Sequence, residues 1–191
     1  MLHPQPVETV TLLHPIFEEK RIAVSMLRLD QVHQTVSGNK FFKLKYNLEK
    51  AKNQGKFTIL TFGGAFSNHI HASASAAKEL GLKSIGVIRG EDSDKNNPTL
   101  AYARAQGMHL YFVSREDYRL KNTPEFLNRL EDVFGDFYLI PEGGTNSLAI
   151  RGTSEILSEH HQEYSHVCTS IGTGGTFAGL AQSLQPKQTL I

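Results

Sequence analysis

Apolar positions along this chain fall into two alternating rhythms. Four runs are nearly continuous: Phe57 to Phe62, Ser84 to Ile88, His109 to Val113 and Asp136 to Ile140. Continuity rather than strict alternation predicts strands buried on both faces. Between them, roughly over 68–80, 98–106 and 124–133, the pattern is helical; in the last, Phe126, Leu127, Leu130 and Val133 share one side. Pro98 suits a helix start, Gly81 and Gly107 suit helix ends, and Gly90 to Asn97 reads as a polar loop. Strand-helix alternation of this kind predicts a parallel α/β sheet with right-handed crossovers. Upstream, 7–13 and 22–28 read as strands, the first with an extended surface arm as the alternative, and 30–38 is polar and loop-like. Phe41, Leu44, Leu48 and Ala51 then predict an amphipathic helix over 40–53, ended by Gly55. Downstream, a helix around 148–160, a fifth strand of the alternation at 166–171 and a helix over 176–184 continue the pattern. Leu190-Ile191 reads as the start of another strand, which predicts the front portion of a longer architecture or a chain completed by a partner.

Three of the strands run into glycine turns that open helices: Gly63-Gly64, Gly143-Gly144 and Gly172 to Thr176. Open parallel sheets bind ligands at these carboxyl ends. Free amides at a helix start suit a phosphate or a carboxylate. The third loop is the strongest anion site, because its glycines allow close approach and its threonines add hydroxyl donors. It lacks the Lys-Ser/Thr of a Walker loop, and Phe177 stands where a dinucleotide fingerprint needs its third glycine. A tight packing turn with no ligand is the competing reading. In the first loop Ser67 is a natural N-cap. The side chain of Asn68 and the amides after it are expected to face the same cleft mouth.

The turn Ser37-Gly38-Asn39 delivers Lys40 to the first turn of the 40–53 helix. On a helical wheel Lys40 lies about 60° from the middle of the apolar stripe, with Lys43 and Lys45 further away. Lys40 is therefore expected to be the most desolvated of the three. Low dielectric and the positive end of the helix dipole both favour its neutral, nucleophilic form, suited to joining a carbonyl. A solvated basic face made by all three lysines is the competing reading.

Composition narrows the partners. With 191 residues, 39% apolar, 20% charged and a formal net charge of +1, nothing points to nucleic acid or an anionic membrane. A single cysteine, Cys168, rules out an internal disulfide framework and fits a reducing, cytoplasmic setting. No apolar run approaches membrane-spanning length, and no secretory signal is expected at the N-terminus. His69 and His71 are two apart on a helix, and His160, His161 and His166 cluster near a helix end. Neither set has ligand spacing, so no metal is expected.

Taken in order, Ser-Gly-Asn-Lys40 with Lys43-Leu44, Gly63-Gly64-Ala-Phe-Ser67-Asn68-His69, Gly143-Gly144-Thr-Asn146 and Gly172-Thr-Gly-Gly-Thr176 resemble the pyridoxal-phosphate enzymes of the tryptophan-synthase-like fold, fold type II. Within that group the chain is most similar to the 1-aminocyclopropane-1-carboxylate deaminase and D-cysteine desulfhydrase family, from about Arg21 onward. The resemblance implies a three-layer α/β architecture of parallel sheets in two domains. A small domain would span 55–146. A large domain would be built from 1–54 and 147–191 and be incomplete at the C-terminus, with pyridoxal 5'-phosphate in the cleft between. It implies that Lys40 joins the cofactor covalently and later moves a proton. Asn68 would bond the cofactor's phenolic oxygen, and Gly172, Thr173, Gly174, Gly175 and Thr176 would cradle its phosphate. Ser67, with the amides of Asn68 and His69, would hold the substrate carboxylate, and Ser67 would assist proton transfer. The implied activity, of hydrolase or lyase type, breaks down a small amino acid such as 1-aminocyclopropane-1-carboxylate or D-cysteine to a 2-oxo acid and ammonia, in a cytoplasmic homodimer. The alternative is a truncated or inactive relative that binds a phosphate ligand without chemistry. The chain departs from the family pattern at Ser37, usually Gly; at Phe42, where a basic residue is usual; and at Phe66, usually Gln.

Overall fold

A computed structural model describes residues 2–91 and 97–191. Its centre is a parallel four-stranded sheet made from β3 (Thr58–Gly63), β4 (Lys83–Arg89), β5 (Met108–Val113) and β6 (Tyr138–Ile140), in the order β5-β4-β3-β6. The chain leaves β3 in one direction through β4 and β5, then returns to pair β6 on the other side of β3, with Ile59 opposite Tyr138 and Thr61 opposite Ile140. The carboxyl ends of β3 and β6 are thus where the winding reverses, and the first two glycine loops emerge there. Such a reversal opens a crevice for a ligand.

Alternate side chains along each strand feed two layers. On one face Ile88 packs with Ile70 and Ala74 of α3 (Asn68–Glu79) and with Leu100 and Ala103 of α4 (Pro98–Ala105). On the other, Leu60, Phe62, Ile85 and Val87 pack with Tyr118 of α5 (Arg115–Arg119) and with Phe126 and Leu130 of α6 (Pro124–Phe134). Small residues in α3 admit a further layer. Ala72, Ala76 and Ala77 lie against Phe41, Leu44, Leu48 and Ala51 of α2 (Asn39–Asn53), whose apolar stripe is fully buried. These clusters account for why the continuous apolar runs form strands: each has a helix to cover both sides.

The remaining elements extend α2 away from the sheet. α7 (Ser147–Thr153) lies on α2 so closely that a Cβ on Gly152 would sit 2.0 Å from the Phe42 carbonyl oxygen. α8 (Gly175–Ser183) packs on α7, where a Cβ on Gly179 would meet Thr153 Oγ1 at 1.9 Å. β1 (Thr9–Leu12) and β2 (Val24–Leu27) form an antiparallel pair, bridged by the short helix α1 (Pro15–Glu19).

Several expectations are corrected. The helix expected over 148–160 stops at Thr153, and the backbone then forms only a 3₁₀ turn, Glu159–His161. At this end the Thr153 hydroxyl lies against the Ala149 and Ile150 carbonyls and the Gly175 carbonyl of the neighbouring α8, and Ser154 closes the helix with its amide on Ile150 O. The expected fifth strand shrinks to β7 (His166–Val167). It joins β8 (Thr189–Leu190) in a separate two-stranded parallel sheet rather than the central one. The helices α1 and α5 were not expected. Of the expected polar loop over 90–97, residues 92–96 lie outside the described residues; Asn97 caps α4 by accepting from the Leu100 amide at 3.0 Å.

Candidate active site

One cavity of about 410 Å³ opens at the reversal point, within the size range of small-molecule sites. α2 contributes Asn39, Lys40 and Lys43, the loop after β3 contributes Ser67, and the first turn of α3 contributes Asn68 and His69. Glu142 and Gly143 come from the turn after β6, and Gly172, Thr173, Gly174 and Thr176 from the loop that opens α8. Residues far apart in sequence meet here because α2 lies across α3 and the two reversal loops. Gly175 stays behind the wall, where a Cβ would strike Thr145 Oγ1 at 2.9 Å and approach Lys43 Nζ to 3.2 Å.

The glycine loop is a cup of donors. Gly174 adopts φ +78, a left-handed conformation that suits glycine, and so turns the chain into α8. The first-turn amides of α8 have no helical partner and carry the positive end of its dipole. Residues 172–177 bring no acidic side chain. Lys43 completes the cup. Its residue is only 2% exposed, and Nζ donates to Gly143 O at 3.2 Å, Thr145 Oγ1 at 3.1 Å and Thr173 Oγ1 at 3.2 Å. All three acceptors are uncharged. Burial, and then the neighbouring charge of Lys40, push the Lys43 ammonium down to about 8. A buried cation with only neutral partners beside unpaired amides is chemistry that calls for an anion.

The sequence points to Lys40 as the most desolvated lysine; burial does lower its amine, but Lys43 is the residue more fully enclosed, and burial lowers its amine as well. The wheel measured distance from the apolar stripe, but the far side of α2 is covered by loops that come from 100 to 130 residues further on. The 40/43 spacing, which sets both lysines on neighbouring helix positions, was the available signal. Lys43 is held in place by a buried polar network. Asn47, fully buried, donates to the Lys43 carbonyl at 2.8 Å and exchanges hydrogen bonds with Asn146, while Tyr138 donates to its oxygen at 3.2 Å.

Lys40 stands at the mouth, half-buried. Its Nζ donates to Asn39 Oδ1 at 3.0 Å, and the Asn39 amide donates onward to Thr176 Oγ1 at 2.7 Å. Burial lowers the Lys40 amine from the usual lysine range, which favours its nucleophilic form. Across the cavity Ser67 caps α3 by accepting from the Ile70 amide at 3.3 Å. The Asn68 side chain is exposed and makes no hydrogen bond among the described residues, so it is available to a ligand. Phe66 is 74% exposed beside it.

His69 presents less to the cavity than its position suggests. Its ring is 2% exposed, and Nε2 meets Thr61 Oγ1 at 2.8 Å. Thr61 donates its one hydroxyl hydrogen to Ile140 O at 2.8 Å, so the proton in the first contact belongs to His69 Nε2. Nδ1 is then a buried lone pair without a partner. Burial, with the charges of Lys40 and Lys43, pushes this imidazole down to about 3, so it stays neutral. Glu142 is the acid that lines the cavity. Its carboxylate accepts from the Tyr118 hydroxyl at 2.8 Å and pairs with Lys121 at 3.4 Å. Among the described residues no helix is long and apolar enough to cross a membrane, and no group of three or more His, Cys, Asp or Glu could hold a metal ion.

Known proteins with this pattern bear on the chemistry. A Pyrococcus horikoshii protein provisionally named 1-aminocyclopropane-1-carboxylate deaminase is 30% identical over 184 residues, covering 94% of this chain and 57% of that protein. A mitochondrial Arabidopsis thaliana protein named bifunctional D-cysteine desulfhydrase/1-aminocyclopropane-1-carboxylate deaminase is 28% identical over 207 residues, covering 94% of this chain and 52% of that protein. A crystal structure of an ACC deaminase homologue superposes with a TM-score of 0.77 at 29% identity, covering 96% of this chain and 57% of that one. The chain thus spans a little over half the length of the relatives it matches. The family model described as "Pyridoxal-phosphate dependent enzyme" matches residues 6–191, and on that match this chain belongs to the pyridoxal-phosphate-dependent enzyme family.

Proposed function

We propose that Lys40 binds pyridoxal phosphate covalently and that the complete protein breaks down a small amino acid, of the 1-aminocyclopropane-1-carboxylate or D-cysteine kind, to a 2-oxo acid and ammonia. The observation that carries this is the sharing of one cavity by the Lys40 amine and the donor cup of Gly172, Thr173, Gly174 and Thr176. The donor set fits the cofactor. Unpaired helix amides, two threonine hydroxyls and the Lys43 ammonium, with no carboxylate in the cup, suit a phosphate dianion. A half-buried amine at the mouth suits an aldehyde.

Pyridoxal phosphate, when bound, supplies an electron sink for charge developing next to the amino group. The protein's own residues do the rest. Lys43 and the Gly172–Thr176 loop anchor the phosphate. The Asn68 amide donates to the ring oxygen. Ser67 and the amides of Asn68 and His69 hold the substrate carboxylate at the dipole end of α3. The Lys40 amine would move the proton at the α- or β-carbon, and Ser67 would assist. The neutral His69 ring leaves that proton to them. The domain division in this reading is 55–146 for the small domain, with 1–54 and 147–191 in the large one. A cytoplasmic homodimer without nucleic-acid or membrane partners fits the net charge of +1 and the free thiol of Cys168.

Trapping tests the cofactor assignment directly. The protein is mixed with pyridoxal phosphate, reduced with borohydride and digested. Mass spectrometry is expected to find the pyridoxyl group on Lys40, and Lys40→Ala to lose it. A label on other lysines, or none, overturns the assignment. Release of sulfide and 2-oxo acid from D-cysteine, or of 2-oxo acid and ammonia from 1-aminocyclopropane-1-carboxylate, then tests the substrate class.

A further inference from the structure

Among the described residues, Asn39 is the one side chain that bonds both the Lys40 amine and the glycine loop. It stands at the first position of α2, after Gly38 at φ +67 has turned the chain into the helix. A lysine ammonium has only protons to give, so the Asn39 atom 3.0 Å from Nζ is the carbonyl oxygen. The other end is then the NH₂, and it donates to Thr176 Oγ1 at 2.7 Å. A hydroxyl oxygen that accepts there keeps its own hydrogen for a different partner. No second partner of the Thr176 hydroxyl occurs among the described residues, although Thr176 is only 8% exposed and lines the cavity.

We propose that Asn39 is a positioning residue with two ends: its oxygen aims the Lys40 amine, and its NH₂ makes the Thr176 hydroxyl a donor to the phosphate held by the glycine loop. This rests on the proposed roles of Lys40 and the loop. Neutrality at position 39 is part of the device. A carboxylate there would hold Lys40 as ammonium, and its oxygens would take the Thr176 hydrogen for themselves. The other charged or titratable groups facing the cavity are Lys43 from α2, His69 from α3 and Glu142 from the turn after β6. The Gly172–Phe177 segment brings none.

The test uses Asn39→Asp, Asn39→Ala and Thr176→Val, with folding checked by circular dichroism. Without cofactor, competitive acetylation across a pH series reads the midpoint of Lys40 reactivity. Asn39→Asp is expected to raise that midpoint by about one pH unit or more, and Asn39→Ala to lower it or leave it in place. With ligand, titrations compare pyridoxal phosphate with pyridoxal, which lacks the phosphate. Each of the three variants is expected to lose about tenfold of the preference for the phosphorylated ligand. Asn39→Asp on a Thr176→Val background is expected to lose no more. A packing residue would weaken both ligands alike. An unmoved Lys40 midpoint in Asn39→Asp, or an unchanged preference in Asn39→Ala, overturns the proposal. Because the acetylation step needs no cofactor, it separates this result from failure of the cofactor assignment, which the pyridoxyl trap reads in the unsubstituted protein. Should Asn39→Asp not fold, Asn39→Ala and Thr176→Val still decide the phosphate half.

Discussion

Replacing Lys43 by methionine removes a buried ammonium while keeping an unbranched side chain at the same position. In the ligand-free protein the ammonium gives its protons to Gly143 O, Thr145 and Thr173, all neutral. A phosphate in the adjoining cup offers it a charged acceptor instead. A charge-assisted hydrogen bond of that kind contributes about 1.5–3 kcal/mol, so Lys43→Met is expected to weaken pyridoxal phosphate roughly ten- to two-hundred-fold. Pyridoxal meets Lys40 in the same way but has no phosphate, so its affinity is the control. Calorimetric or fluorescence titration of both ligands isolates the Lys43 contribution as the ratio between them.

The pH dependence sharpens the test. The second ionisation of a phosphate monoester lies near about 6, so above neutrality the ligand is already a dianion and Lys43 is the group that changes. With Lys43 pushed down to about 8, the preference for the phosphorylated ligand should fall as pH rises through 8, by up to about tenfold per unit. In Lys43→Met it should be flat. Stability of the ligand-free protein runs the opposite way. The unfolded lysine titrates at 10.5 and the folded one at about 8, so the unfolded chain holds more protons between these values and stability rises with pH across that window. A gap of about 2.5 units is worth roughly 3 kcal/mol. Urea denaturation at pH 7.5 and pH 10 should show this slope, reduced or absent in Lys43→Met. Equal weakening of both ligands, or a flat pH profile in the unsubstituted protein, would refute the assignment of Lys43 to the phosphate.

Two further predictions concern the frame around the site. Gly152→Ala would force a Cβ to within 2.0 Å of the Phe42 carbonyl oxygen and 2.9 Å of its carbon, both backbone atoms with little room to yield. Separating α7 from α2 is expected to cost about 3 kcal/mol, read as a lower urea midpoint; an unchanged midpoint would show that the helices are not in this contact. His69, buried and pushed down to about 3 from 6.5, leaves the folded chain holding fewer protons than the unfolded one between these values. Stability is therefore lost as pH falls through that window, with about 2 kcal/mol gone by pH 5. His69→Gln should flatten this acid slope, and an identical slope in both proteins would place the titrating group elsewhere.

The parts of the fold legible in the sequence were those with a repeated local signal. β3, β4 and β5 announced themselves through unbroken apolar runs, and α3 through its caps: Ser67 before it and Gly81 after it. Elements of a single turn carried no such repeat. α5 is five residues long and exists because Ser114 caps it and Tyr118 is drawn into the core with Phe62 and Phe126. The overrun past Thr153 concerns a place where the chain meets a distant element: the Thr153 hydroxyl reaches Gly175 O, a contact that no local pattern announces. At the site, the glycine loops and Lys40 were visible as motifs. Lys43 and Asn39 stood in the same motif, but their bonding was not legible there, because it depends on Thr145, Thr173 and Thr176, which only the folded chain brings near.

The two lysines also divide the work in a way that one helix turn makes possible. They are three positions apart, close enough that the charge of Lys40 helps lower Lys43 and both help keep His69 neutral. Repulsion of this kind is a cost in the ligand-free cavity, and a phosphate dianion beside Lys43 would offset it with its own negative charge. The Lys43 charge would then be paired with the anion, while among the described residues Lys40 has the neutral Asn39 amide as its only hydrogen-bonded side-chain partner. A lysine partnered by a carboxylate would be held as ammonium and be a poor nucleophile; one partnered by Asn39 is not. Under the proposed function the arrangement would give the lasting charge to Lys43, paired with the anion, and the reactive lone pair to Lys40 at the mouth.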